Sequence, residues 1–204
     1  MSVIAVFAGD FHCGSGLGLQ PPVVRLDDGH ILRHSRFQAF IWQRWGAFWT
    51  EVAAEKARRG AAVVFFANGE LVDDNWHKTP QMASRNLADL MKLALQVFVP
   101  ARRVADEIVV LRGTEAHSGG GGALDELMAE RLGALQDAEG NWSRYGFYGE
   151  VENVYLDVRH HPGHNAMRPW THGGHGYRRA GGTGDPFRVR PRPPPPGRPG
   201  APSP

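Results

Sequence analysis

Short unbroken apolar runs alternate along the chain with longer stretches in which apolar residues recur every three or four positions. Val3-Ile4-Ala5-Val6-Phe7-Ala8 is the first run, and its lack of alternation predicts a strand buried on both faces. Between about His34 and Arg59, the residues Phe37, Phe40, Ile41, Trp45, Phe48, Trp49 and Val52 predict an amphipathic helix with an aromatic stripe packed against a sheet. Gly60 ends that helix, and Ala61–Ala67 predicts a second buried strand. A second helix follows Pro80 with Leu87, Leu90, Met91, Leu93, Ala94 and Val97 as its apolar positions, and Pro100 is expected to kink or end it. Glu107–Leu111 predicts a third strand, Ala123–Leu132 a short helix and Val154–Val158 another strand. Strand, polar cluster and helix thus follow one another three times. This order predicts a layered α/β fold with its site at the carboxyl ends of the strands.

Each strand runs straight into residues that can carry chemistry. The first delivers Asp10 and His12, two positions apart, a spacing that would bring a carboxylate and an imidazole together on one metal ion if strand geometry continues. Taken alone, that stretch reads more readily as a capped turn with an ordinary loop histidine. The later clusters shift the balance: Asn68-Gly69-Glu70 with Asp73, then Arg112-Gly113-Thr114-Glu115-Ala116-His117, then Arg159-His160-His161.

These four blocks, in this order, resemble those of the calcineurin-like metallophosphoesterases, and most of all the phage-related branch. There the second block reads like Asn-Gly-Asp and the third like Arg-Gly-Thr-Glu-x-His. The resemblance covers about residues 1–171 and implies an α/β/β/α sandwich holding two divalent ions, manganese, iron or zinc. It further implies a phosphoester substrate, monoester or diester, with nucleic acid among the candidates. Carried over, Asp10 and His12 hold one ion, Glu70 stands where an aspartate bridges both, and His160 or His161 binds the other. Glu115 is the candidate oxygen ligand where many relatives place an asparagine. His117 is the catalytic candidate that protonates the leaving group or steers the phosphate, and Asp73 orients its loop. Two departures stand out. Glu70 is one methylene longer than aspartate, and the closing Gly-His-x-His block is not matched by Gly163-His164-Asn165-Ala166 or Gly174-His175-Gly176-Tyr177. The resemblance therefore implies an incomplete domain lacking its final strands. A non-catalytic metal-binding or interaction module is the competing expectation.

Composition changes this picture mainly at the end of the chain. The 204 residues suit one domain, and the formal net charge is +2. From His172 onward six arginines face one acid, Asp185, so the tail carries 6 − 1 = +5 and residues 1–171 carry 2 − 5 = −3. The charge gives no support to a basic nucleic-acid surface on the domain. Prolines and glycines make up 17 of the last 33 residues, which predicts a disordered or polyproline-like tail over 172–204. Such a tail reads either as a partner-binding segment or as an out-of-frame translation product. The single cysteine, Cys13, and an N-terminal apolar run without preceding basic residues predict a cytoplasmic protein with no membrane span. Gly14-Ser15-Gly16-Leu17-Gly18 lacks the spacing of a dinucleotide loop, and no His-Glu-x-x-His helix supports a zinc peptidase. Arg102, Arg103 and Arg112 are expected to be ordinary solvated charges.

Overall fold

Val63, Phe65 and Ala67 pack on one side of a strand whose intervening residues Val64 and Phe66 pack on the other, and all five are buried. That strand organises the structure, a computed structural model describing residues 2–74 and 81–160 together with the backbone of Phe187–Arg188. In chain order the strands are β1 (Val3–Gly9), β2 (Val23–Arg25), β3 (Ile31–Arg33), β4 (Ala62–Asn68), β5 (Glu107–Leu111), β6 (Ser143–Arg144), β7 (Gly146–Val151), β8 (Val154–Arg159) and β9 (Phe187–Arg188). The helices are α1 (Arg36–Arg59), α2 (Leu87–Val97), α3 (Val99–Val104), α4 (Glu115–Ser118) and α5 (Ala123–Leu132).

Strands β1, β4, β5 and β6 form a parallel sheet in the order β1-β4-β5-β6, with Val3 to Gly9 paired in register against Ala62 to Asn68. Parallel pairing requires crossovers, and the helices supply them. The fold is thus mixed α/β, a four-stranded parallel sheet flanked by helices. One sheet face shares a core with Trp45, Trp49 and Val52 of α1, Leu90, Leu93 and Val97 of α2, Ala101 of α3 and Met128 of α5. The other face, Val64, Phe66, Val109 and Leu111, packs with Phe147 and Val151 of β7 and Leu156 and Val158 of β8. The β7–β8 pair is antiparallel and closes through Glu152 and Asn153, both at positive φ as a tight hairpin turn requires. β9 pairs parallel with β7.

Helix α1 begins at Ser35 with a full capping box. The Ser35 hydroxyl accepts from the Gln38 amide, and the Gln38 side chain accepts from the Ser35 amide. It ends at Gly60, whose left-handed backbone (φ 58°) accommodates the reversal into β4. The expected aromatic stripe divides between two environments. Trp45 and Trp49 are buried, whereas Phe37, Phe40 and Phe48 are exposed, because apolar residues at this spacing cover more of the helix circumference than the sheet can bury. Pro100 lies in the first turn of α3, so the expected break falls between α2 and α3. Arg112 is not a free surface charge: it donates to Ser143, to the Gly121 carbonyl and to Glu126, and stacks over Tyr145.

Among the described residues no helix is long and apolar enough to cross a membrane. His161, the two unmatched Gly-His segments and, apart from the β9 backbone, the tail from His172 lie outside the described residues.

Candidate metal centre

The ends of β1, β4 and β5 lie side by side, and backbone hydrogen bonds join the loops that leave them. The His12 amide donates to the Glu70 carbonyl at 2.9 Å, the Asp73 amide to the Cys13 carbonyl at 3.0 Å and the Asp74 amide to the His117 carbonyl at 2.8 Å. A further tie comes from Asp125 on α5. Its buried carboxylate accepts from the Leu71 amide at 3.2 Å and from the Gly113 amide at 2.6 Å, linking the loops after β4 and β5. Burial pushes the Asp125 carboxyl above its ordinary value, against the pull of these donors.

Two sets of side chains converge there. His12, Glu70 and His117 offer ligand atoms within 4.8 Å of one another, and so do Asp10, Glu70 and His160. Glu70 belongs to both. Its Oε2 lies 2.9 Å from His12 Nε2 and its Oε1 3.2 Å from His160 Nε2, so each oxygen addresses a different set. The Thr114 hydroxyl donates to Oε1 at 2.6 Å. On the far side, Asp73 sits 3.1 Å from His117 Nδ1 and 3.5 Å from His12 Nδ1, and the two imidazoles meet edge to face at 4.7 Å. His160 Nδ1 lies 2.8 Å from the Asn68 carbonyl, which turns Nε2 towards Glu70 and, at 3.9 Å, towards Asp10.

The backbone at these positions is unusual. Asp10 (φ 55°), His12 (φ 44°) and Glu70 (φ 54°) all adopt left-handed conformations. Outside the β7–β8 turn they are the only non-glycine residues that do so among the described residues. Each costs on the order of 1 kcal/mol, a cost that recurs where side chains are aimed for function. Two glycines make room. A Cβ at Gly69, itself at φ 76°, would stand 2.5 Å from His160 Cγ and Nδ1, and one at Gly113 would stand 2.5 Å from Glu70 Cγ.

The electrostatics follow from the packing. Hydrogen bonding to Asp73 and Glu70 raises His12 from 6.5 to about 10, outweighing its partial burial. Burial pushes Glu70 upwards, but the combined donors His12, His160 and Thr114 prevail and hold its carboxyl below the usual carboxylate range. Burial also acts on Asp73, and His12 and His117 likewise overcome it and lower that carboxyl. A cation held by these groups would have to displace the proton that His12 retains.

Of the residues expected from sequence, Asp10, His12, Glu70, His117 and His160 come together. Asp10 and His12 fall in different sets, because strand alternation ends at Gly9 and the left-handed turn at Asp10 redirects the chain. Glu115 lies elsewhere: it is exposed at the start of α4 and accepts from the Gly121 amide at 3.2 Å, outside both sets. Two contributors were not singled out in the sequence: Thr114, beside the candidate Glu115, and Asp125, within the expected helix Ala123–Leu132; only the juxtaposition of the loops reveals them. The donors, imidazole nitrogen and carboxylate oxygen in three-residue sets, fit zinc, manganese or iron with coordination positions left open. Comparison of the chain with family models, with curated proteins and with solved structures returned no match.

Proposed function

We propose that the chain is a metal-dependent phosphoester hydrolase of the calcineurin-like metallophosphoesterase type, acting on a phosphomonoester or phosphodiester. One observation carries the reading: two ligand sets share the carboxylate of Glu70, with one oxygen facing each set. Three-residue sets with open positions suit turnover better than a closed structural site. The α/β/β/α layering of that family is supported on two counts, a helix layer on one face of the parallel sheet and a strand layer on the other. Cytoplasmic localisation belongs to the same reading and rests on the single, fully buried thiol of Cys13.

Two divalent ions in such sets would supply Lewis acidity to the phosphoryl group and a nucleophile from water at neutral pH. The chain's own residues do the rest. Asp10 and His160 with one Glu70 oxygen, and His12 with the other, place negative charge and neutral imidazole where cations are to sit. Thr114 fixes the Glu70 carboxylate, and Asp73 fixes the His12 and His117 rings. His117 opens onto the same cavity as Asp10, where it can hand a proton to the leaving oxygen.

The test is hydrolysis of p-nitrophenyl phosphate and bis(p-nitrophenyl) phosphate by the full chain with manganese, against the metal-free protein and Glu70→Gln. Metal-dependent turnover lost in the variant supports the reading. Stoichiometric manganese binding with no turnover of either ester would instead make the chain a non-catalytic metal-binding module. His117→Asn separates that residue's two possible roles: two ions retained with turnover lost marks a proton donor, whereas loss of an ion marks a ligand.

A further inference from the structure

Beside the two ligand sets lies a cavity of about 680 Å³, within the range of small-molecule sites. Asp10, His12, Asp73 and His117 form one end of it. Much of the remaining lining is apolar and comes from three separate elements: Phe7 near the end of β1, Leu17 in the glycine-rich loop, and Ile41, Trp45 and Phe48 along α1. The exposed Phe48 of the divided aromatic stripe belongs to this lining, whereas Phe37 and Phe40 do not. Trp45 faces the core, while Phe48 is 38% exposed, Phe7 47% and Leu17 64%, all within one concave surface. Apolar side chains gathered into an open hollow next to polar chemistry indicate a ligand body to cover them. Among the described residues, Arg44 is the one further charged group on the lining, and its guanidinium lies 5.2 Å over the Phe40 ring.

We propose that this cavity receives a flat, apolar ring carried by the phosphoester substrate, with the phosphate at the Asp10–His12–His117 end and the ring between Phe48, Leu17 and Ile41. The substrate class is thus aryl phosphoesters and not compact alkyl or sugar phosphates. This inference rests on the phosphoesterase reading for the position of the phosphate, and on the cavity alone for the ring. An aromatic ring between Phe48 and the aliphatic side chains of Leu17 and Ile41 gains both area and ring contact, whereas a methyl or sugar group fills little of the space.

The experiment measures binding of 1-naphthylphosphonate and methylphosphonate, neither of which is hydrolysed, to the full chain with manganese by calorimetry. The same titrations use Leu17→Ser, a substitution at an exposed side chain that leaves the core untouched, and Phe48→Ser. The expected result is naphthylphosphonate binding at least about tenfold tighter than methylphosphonate, with the advantage reduced to about threefold or less in both variants at unchanged manganese stoichiometry. Equal affinities, no binding of either compound, or an advantage that survives both substitutions overturns the inference. The two readings fail separately. Hydrolysis of phosphoesters without a naphthyl preference sinks the ring site alone, and a naphthyl preference without any metal-dependent hydrolysis sinks the phosphoesterase reading alone.

Discussion

Replacing Glu70 by glutamine keeps the size of the side chain and removes its charge, and the consequence should be unlike that of any other substitution in the centre. The carboxylate is buried, with Oε2 at 2.9 Å from His12 and Oε1 at 3.2 Å from His160. Because each oxygen serves a different set, one substitution removes an anionic ligand from both. Losing even a supporting partner weakens a metal site by roughly ten- to hundredfold. Applied to two ions, that is about 3–5 kcal/mol of total binding free energy. Equilibrium dialysis against manganese, with metal content measured per chain, should therefore show the variant falling from two ions towards none in a single step. If Glu70→Gln retains one ion at the parent affinity, the carboxylate does not join the two sets and the argument fails.

Gly69→Ala should lower metal content, the His160 set first: a Cβ 2.5 Å from the His160 ring and 2.9 Å from the Gly113 Cα, on a backbone at φ 76°, forces both to shift, so fewer than two ions per chain are expected. Asp10→Gly should reverse sign with conditions. Relief of the left-handed backbone raises the stability of the metal-free protein by about 0.5–1 kcal/mol, seen as a melting temperature higher by about 2 °C in chelator, and the variant becomes the less stable protein in manganese. Asp125→Ala strands the buried Leu71 and Gly113 amides, and chemical denaturation is expected to show a loss of about 3 kcal/mol; an effect under about 1 kcal/mol would contradict the assigned role. His12, facing Glu70, Asp73 and His117, is raised to about 10 when no metal is present. Its protonated form therefore stabilises the metal-free fold fully below about pH 6.5, and that contribution fades as pH rises through about 10. Manganese must displace the same proton, so apparent affinity should rise by up to about tenfold per pH unit across that window and calorimetric heats should depend on the buffer.

Much of this arrangement is legible in the residue pattern. The runs at Val3, Ala61 and Glu107 became β1, β4 and β5 within a residue or so; β4 and β5 are buried on both faces, as unbroken apolar runs suggest, whereas β1 forms the sheet edge and leaves Phe7 exposed, so the burial on both faces expected of it is not met. The β2–β3 hairpin escaped notice because three-residue strands such as Val23–Arg25 carry too little periodicity, and β7 because Gly146 and Gly149 interrupt its alternation. At the centre, the residue types were readable but their partition was not. It depends on left-handed turns at Asp10, His12 and Glu70, which side chains of those types do not announce. Glu115 has the chemistry of a ligand and the wrong direction: at the start of α4 its carboxylate accepts from the Gly121 amide in the glycine-rich turn that follows the helix.

The ligands are drawn from four places far apart along the chain: Asp10 and His12 after β1, Glu70 after β4, His117 after β5 and His160 after β8. Ions held by them would act as a reversible cross-link between the N-terminal strand and the hairpin layer. Closing so long a loop in the unfolded chain is entropically costly, and for that reason a clip between its ends gains the most from being made in the folded state. Metal supply would then set the lifetime of the fold as well as its chemistry, and a chain deprived of ions would first loosen the seam where β8 meets the sheet.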